Sequence, residues 1–309
     1  MNYEKFFKDR VIIISGVGRS GTTIIGKIVG SMKNCIYFFE PAIMKYFPAT
    51  EELQDETGAV WSFDIKQAFL ATLFEDYILP SVQGRNLNIN IQDDSYWGNY
   101  QEYSDLRKRF VLTSRLSALK WLEKNDIKFV FKVNESQHLY NVYEDLFEGM
   151  KLLYVYRNGI DTVNSMVKKG WYKDDYEPID LYQTIDGINV PVWVKQNDIS
   201  NYIKWNQETR CVYAWRILNT MGLDFVCHIN DHQLIDYDLI MKEPGSLKSI
   251  VSCMEHKYGL VYSDITIKHI NSMIDFARSK KQSDLSIVEK IQEPEKSLFL
   301  EYNKITSKV

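Results

Sequence analysis

Residues 11–29 read VIIISGVGRSGTTIIGKIV and combine a short apolar run, a glycine-rich turn and an apolar repeat with helical spacing. Residues 11–15 are mostly β-branched, which is typical of a strand buried on both faces of a parallel sheet. In residues 21–32 the apolar side chains recur every three or four positions, which predicts an amphipathic helix. This stretch therefore predicts strand, tight loop and helix, the local plan of an open α/β sheet.

The loop itself is Gly16-Val17-Gly18-Arg19-Ser20-Gly21-Thr22-Thr23. Its spacing is that of a phosphate-cradling loop, in which backbone N–H groups and the positive helix end converge on one anion. The Walker pattern requires lysine after the last glycine, but Thr22 stands there, so the cation that ATP hydrolysis and kinase chemistry need is missing. Arg19 supplies a cation instead, and we expect it near the far side of the phosphate, where a transferring group lies.

Further strands and helices alternate downstream and predict a mostly parallel sheet with helices on both faces, a P-loop-like α/β fold in a single domain. The predicted strands are 36–39, 128–133, 151–156 and 224–229, and the predicted helices are 65–79, 103–124, 137–146, 161–169 and 200–221. Two insertions, at about 50–103 and 171–197, are expected to form the acceptor cleft, the second as a surface loop or lid.

The composition is that of a globular protein, with 45% hydrophobic and 25% charged residues. The net charge of −4 gives no general nucleic-acid footprint, so no nucleic-acid partner is expected. The four cysteines form no CxxC pair, which favours reduced, buried thiols over a zinc site. The charged N-terminus leads into an apolar run too short for a signal peptide or membrane span, so a cytoplasmic protein is expected.

A second anion motif is predicted in residues 152–166, LLYVYRNGIDTVNSM. Arg157 follows a strand, and Ser165 lies eight residues further on, early in the next helix. Both therefore face the crevice in which open α/β sheets bind ligands. An arginine fork with a hydroxyl suits a terminal phosphate dianion, whereas the alternative for Arg157 is a surface ion pair.

Together, GVGRSGTT and LLYVYRNGIDTVNSM resemble the 5′-phosphosulfate loop and the 3′-phosphate motif of sulfotransferases that use 3′-phosphoadenosine 5′-phosphosulfate (PAPS), including the carbohydrate and tyrosylprotein types. Residues 234–244, LIDYDLIMKEP, are similar to that family's segment after the last core strand. The resemblance implies PAPS as donor, without a metal. It also implies a donor site made of Gly16, Gly18, Arg19, Ser20, Gly21, Thr22, Thr23, Arg157 and Ser165.

For the chemistry, the resemblance points to Glu40 and Lys132. Glu40 resembles the glutamate base that several carbohydrate and protein-tyrosine sulfotransferases place after the second strand, and its alternative role is a helix N-terminal carboxylate beside Pro41. Related enzymes have a lysine at the position of Lys132, where it contacts the transferring group. Asn134 replaces the histidine base of some relatives, which leaves Glu135 as the reserve base.

Aromatic and basic residues give weaker indications. Trp205 and Trp215 are interpreted as core residues, whereas the pairs Tyr96-Trp97 and Trp171-Tyr172 are candidates for stacking on sugar rings. A basic run with Arg278, Lys280 and Lys281 either closes over the 3′-phosphate or is a solvated face.

The sequence therefore predicts a sulfotransferase that moves a sulfuryl group in line to a hydroxyl or amine, on a carbohydrate or a glycosylated metabolite. Two alternatives stay open. One is a P-loop nucleotide kinase, against which the missing loop lysine argues. The other is a nucleotide-binding regulatory protein without catalysis, against which the joint presence of Arg19, Lys132 and Glu40 argues.

Overall fold

The computed structural model describes residues 2–46, 63–82, 114–177, 182–278 and 285–306. Five parallel strands form the central sheet in the order β2-β3-β1-β4-β7, and β5 and β6 form a separate antiparallel hairpin. The strands are β1 (Val11–Gly16), β2 (Cys35–Phe39), β3 (Lys128–Asn134), β4 (Lys151–Tyr156), β5 (Tyr182–Ile185), β6 (Ile188–Pro191) and β7 (His232–Asp236). The predicted parallel α/β sheet is confirmed.

Helices connect and cover these strands. The first half of the chain contains α1 (Tyr3–Phe7), α2 (Thr22–Gly30), α3 (Ala42–Tyr46), α4 (Phe63–Thr72), a π-helical stretch (Leu73–Ile78), α5 (Leu79–Val82), α6 (Arg115–Lys124) and α7 (Tyr140–Leu146). The second half contains α8 (Gly159–Lys168), α9 (Ile199–Tyr202), α10 (Gln207–His228), α11 (Tyr237–Lys242), α12 (Ser246–Tyr258), α13 (Asp264–Arg278) and α14 (Glu295–Thr306). Short 3₁₀ turns cover Gln137–Leu139, Gln196–Asp198 and Ser286–Lys290.

The sheet is covered on both faces because β1 presents apolar side chains to each. Val11 and Ile13 belong to a cluster with the aromatic residues of residues 63–82, whereas Ile12 and Ile14 belong to a cluster with α2, α12 and α13. Every residue of β1 is buried, as expected for a central parallel strand. The predicted placement of helices on both faces is confirmed.

A third apolar cluster packs α8 and α10 against the segment that follows α8. The prediction of a surface loop at 171–197 is wrong for part of this segment, because Tyr172, Trp193 and Val194 are buried and β5 and β6 pair within it. The prediction weighted prolines, glycines and acids, but burial of the aromatic side chains outweighs them.

The predicted strand at 224–229 is also wrong. Helix α10 continues to His228, and the last strand is β7. Val226 and Ile229, three positions apart, are both buried in the same cluster, so this run has helical and not strand periodicity. Its β-branched residues misled the prediction, since tertiary packing overrides propensity.

Three further expectations have mixed outcomes. Cys35 and Cys211 are buried, but Cys227 and Cys253 are exposed, so the expectation of buried thiols is wrong for two of them. Helix α6 begins after the capping residue Ser114, and the first part of the predicted helix at 103–124 lies outside the described residues. No helix in the described ranges has the length and apolar character needed to cross a membrane.

Candidate active site

The carboxyl ends of β1, β2, β3 and β4 meet at one edge of the sheet. Gly16 at the end of β1 lies beside Asn134 of β3 and Val155 of β4, and Phe39 of β2 lies beside Lys132 of β3. Strands β3 and β2 lie on one side of β1, and strands β4 and β7 lie on the other. The strand order therefore reverses at β1, and the carboxyl end of β1 is the topological switch point of the sheet. Ligands bind at such points in open α/β sheets.

The glycine-rich loop follows β1, and Thr22 and Thr23 are the first two residues of α2. Gly21 has φ of 99°, a left-handed conformation that favours glycine, and an added Cβ would overlap the Tyr237 ring. A Cβ on Gly18 would overlap the Trp171 ring and lie 2.8 Å from Oε1 of Glu135. Packing against neighbouring side chains is therefore by itself a reason for glycine at both positions, apart from the close approach of a bound anion.

Ser20 places a buried side-chain hydroxyl in the loop. It is 2% exposed, and its Oγ has no hydrogen-bond partner among the residues that the structure describes. A buried hydroxyl at the N-terminal end of a helix is a donor suited to an anion. The loop therefore has the Ser20 hydroxyl available for an anion, whereas the Ser20 backbone N–H donates to the Val17 carbonyl at 3.1 Å.

The two predicted anion motifs are in direct contact. Nε of Arg19 donates to Oγ of Ser165 at 3.1 Å, and Nη1 of Arg157 donates to the carbonyl of Arg19 at 2.9 Å. These residues are far apart in sequence but are brought together because β1 and β4 are neighbours in the sheet. The two motifs are therefore adjacent at the carboxyl edge of the sheet.

Arg157 is partly buried at the carboxyl edge of the sheet. Its side chain is 15% exposed, lies 3.5 Å from the Asp161 carboxylate and stacks over the Tyr237 ring at 5.2 Å. Its Nε is buried and forms no hydrogen bond within the described ranges. The surface ion pair considered for Arg157 is present in altered form, as a partly buried contact with Asp161.

The N-terminus of α8 is occupied by protein groups. The Asn158 amide donates to Oδ2 of Asp238 at 2.6 Å, and the Gly159 amide donates to Oδ1 of Asn303 at 3.0 Å. These two backbone N–H groups are therefore already paired with protein acceptors. The sequence pattern did not indicate Asp238 as a positioning residue, although it lies in the third matching stretch.

Lys132 on β3 and Glu40, the residue that follows β2, form a largely buried ion pair. Their side chains are 2% and 9% exposed, and the Glu40 amide donates to the Lys132 carbonyl at 2.8 Å. The ammonium lies 4.2 Å from the Phe39 ring centroid. Helix α3 begins two residues after Glu40, so both roles considered for this carboxylate are compatible with its position.

Glu135 occupies the edge between this ion pair and the loop. It is 2% exposed and has φ of 58°. Arg19, Glu40, Glu135 and Tyr172 are four of the seven residues other than glycine with positive φ in the described chain. Such conformations cost about 1–3 kcal/mol each and cluster at functional sites.

The other aromatic and basic residues considered for the site are either buried in the core or outside the described ranges. Trp205 and Trp215 are buried, and Nε1 of Trp215 donates to the Arg157 carbonyl at 3.1 Å, which helps to position that arginine. Tyr96-Trp97, Lys280 and Lys281 lie outside the described residues, as does the side chain of Arg278. Within the described ranges, no cluster of three His, Cys, Asp or Glu residues is arranged to hold a metal ion.

Three solved structures share part of this backbone arrangement. The sulfotransferase domain from the Synechococcus PCC 7002 olefin synthase is 11% identical, with a TM-score of 0.47 over 96% of this chain and 94% of that chain. The sulfotransferases STF1 from Mycobacterium tuberculosis H37Rv and STF9 from Mycobacterium avium are each 11% identical, with TM-scores of 0.43 and 0.44. Each aligns with 97% of this chain, which covers 78% of STF1 and 77% of STF9.

Neither a protein family nor a curated protein matches the sequence significantly. All three structural likenesses have TM-scores under 0.5, so none of their properties is transferred to this chain. The evidence for function is therefore the set of contacts among the residues at the carboxyl edge of the sheet.

Proposed function

We propose that this protein transfers a sulfuryl group from PAPS to a hydroxyl or amine of an acceptor, on a carbohydrate or a glycosylated metabolite. The observation that carries the proposal is the contact of Arg19 with both Ser165 and Arg157. A nucleotide with phosphates at its 5′ and 3′ positions needs two anion sites within one adenosine's reach. The two motifs meet this requirement in one crevice, and the loop lacks the lysine that a kinase needs.

In the proposed donor site, the loop holds the 5′-phosphate through its backbone N–H groups, Ser20, Thr22 and Thr23. Nε of Arg157 and the Ser165 hydroxyl bind the 3′-phosphate. Nε of Arg19 is bonded to Ser165, so we assign its terminal nitrogens to the sulfuryl oxygens. This side chain then connects the two ends of the donor.

Glu40 and Lys132 are proposed to perform the transfer as a pair. The acceptor oxygen or nitrogen forms a bond to sulfur, the bond from sulfur to the phosphate oxygen breaks, and the acceptor proton goes to Glu40. Protonation of Glu40 removes the counterion of Lys132. The ammonium then stabilises the charge on the sulfuryl and leaving phosphate oxygens, where electrostatic stabilisation has its largest effect.

A transfer assay with radiolabelled sulfur in the donor, across glycans, phenols and amines, tests this function. Glu40→Gln is expected to lower kcat by about 10²–10⁴-fold, because the proton acceptor is lost. The affinity for 3′,5′-bisphosphoadenosine should not change. Glu148→Gln is the matched control, since Glu148 forms an ion pair with Lys8 at an exposed position.

Glu40→Gln also leaves the Lys132 charge buried without its counterion, so thermal unfolding is measured alongside. The double variant Glu40→Gln, Lys132→Met removes both charges and should recover stability without activity. Unchanged turnover in Glu40→Gln excludes Glu40 as the base. Tight donor binding without any acceptor favours the regulatory alternative, and binding of ATP·Mg without bisphosphoadenosine favours the kinase.

A further inference from the structure

Tyr237 is packed between the two anion motifs. It is the first residue of α11 and is 4% exposed. The Cδ2–Cε2 edge of its ring lies against Gly21, the residue that precedes α2, and fills the space that a Cβ on this glycine would need. The guanidinium of Arg157 lies over the same ring, 5.2 Å from the centroid. One aromatic ring therefore contacts both the glycine-rich loop and the arginine of the second motif.

The backbone next to Tyr237 is fixed on both sides. Asp236, the residue before it, pairs in register with the last residue of β4. Asp238, the residue after it, accepts hydrogen bonds from the backbone amide and the side-chain nitrogen of Asn158, at 2.6 and 2.8 Å. Arg157 lies between these two points on its own segment of the chain. Backbone pairing therefore places the Tyr237 ring opposite the Arg157 side chain.

The electrostatics of this contact favour a fixed position of the guanidinium. Burial raises the pKa of the Tyr237 hydroxyl, although the charges of Arg157 and Arg19 act in the opposite direction, so the phenol stays protonated. The face of a neutral aromatic ring attracts a cation that lies within about 6 Å of its centroid. A ring that packs on the loop along one edge and attracts the guanidinium at its face therefore fixes the distance between the two.

We infer that Tyr237 is a positioning residue that holds Arg157 at a fixed distance from the glycine-rich loop, and that it thereby selects nucleotides that carry a 3′-phosphate in addition to the 5′-phosphate. This inference rests on the proposed function. The ribose limits the distance between the two phosphates of one nucleotide, and hydrogen bonds weaken steeply when their geometry changes. A displaced Arg157 therefore loses the 3′-phosphate, while the loop still holds the 5′-phosphate.

Calorimetric titration with 3′,5′-bisphosphoadenosine and AMP tests the inference. Tyr237→Leu should weaken binding of bisphosphoadenosine by about tenfold, the size of one desolvated cation–π contact, and binding of AMP by less than about threefold. Tyr237→Phe keeps the ring and should retain the bisphosphoadenosine affinity within about twofold. Tyr258→Leu is the matched control, because Tyr258 is 3% exposed in the same apolar cluster and has Lys257 at 5.2 Å from its ring centroid.

A double variant separates positioning from a general loss of packing. In the Arg157→Ala background, Tyr237→Leu should weaken binding of bisphosphoadenosine by less than about twofold further, because the side chain through which Tyr237 acts is absent. A further loss of about tenfold in that background overturns the inference, as do equal losses for the two nucleotides in Tyr237→Leu alone. A loss of about tenfold in Tyr237→Phe also overturns it, since the hydroxyl would then be the acting group. This last test remains decisive if Tyr237→Leu fails to fold.

A measurement without ligand separates the inference from the proposed function. Nuclear magnetic resonance detects the Nε–Hε group of Arg157, whose signal is identified by its loss in Arg157→Ala. The signal should shift in Tyr237→Leu, because the ring above which the guanidinium lies is removed, and it should not shift in Tyr258→Leu. An unchanged signal in Tyr237→Leu overturns the inference. If the unaltered protein binds bisphosphoadenosine no more tightly than AMP, the proposed donor site fails, and this signal still decides whether Tyr237 positions Arg157.

Discussion

Arg157, whose side chain is 15% exposed, and the fully buried Arg210 are two arginines whose surroundings differ. Arg210 is 2% exposed, and its three nitrogens donate to three backbone carbonyls and one carboxylate. Arg157 donates to a single carbonyl, contacts Asp161 at 3.5 Å and has a buried Nε without a partner among the described residues. The residue type is the same, but the exposed fraction of the side chain and the number of satisfied donors both differ.

This difference supports a scaffold role for Arg210 and the ligand-binding role proposed for Arg157. Arg210 donates to the backbone carbonyls of Tyr172, Tyr202 and Ile203, so it joins two segments of the chain within the third apolar cluster. Arg157 retains hydrogen-bonding capacity at the crevice, where a phosphate can complete it. A buried arginine with unused donors is costly unless a ligand compensates, which is the physical basis for assigning the two roles.

The largest expected effect is on stability, in Arg210→Met. The substitution leaves three buried carbonyls without their donor, so we expect a loss of about 3–5 kcal/mol in the free energy of unfolding. Chemical denaturation measures it, with Arg115→Met as control because the Arg115 side chain is half exposed and forms an exposed ion pair with Glu75. A loss below about 1 kcal/mol would remove the scaffold role of Arg210 and the contrast with it.

The second effect is on binding, in Arg157→Ala. The affinity for 3′,5′-bisphosphoadenosine should fall by about 30–100-fold, because charge-assisted hydrogen bonds to the 3′-phosphate are lost. Affinity for AMP, which lacks that phosphate, should change by less than about threefold. Calorimetric titration with both nucleotides checks this. Equal losses for the two would refute the role assigned to Arg157.

The smallest effect is expected in Ser165→Ala, which removes the acceptor of Nε of Arg19. Bisphosphoadenosine affinity should fall by about three- to tenfold, since one neutral hydroxyl contact and the orientation of Arg19 are lost. Ser297→Ala, at an exposed serine bonded to Glu293, serves as the control in the same titration. Full affinity in Ser165→Ala would leave Arg157 as the ligand-binding member of the second motif.

Prediction from sequence succeeded where structure depends on neighbouring residues. The strand at 151–156 was predicted with the bounds of β4, because a continuous apolar run followed by Arg157 is a local signal. It failed at 224–229, where packing of Val226 and Ile229 extends α10. Arg210 and Asp238 carried no signal in the sequence, because their partners belong to other segments of the chain.

The sequence by itself determined the strand, loop and helix of residues 11–30, since β-branched residues, glycines at fixed spacing and apolar helical periodicity act over a few positions. Only the tertiary structure decided that Lys132 pairs with Glu40, that Arg19 meets Ser165 and that Asp238 holds Asn158. These partners are 92, 146 and 80 positions apart. Strand order and crossover geometry bring them to one edge, and no local pattern specifies that order.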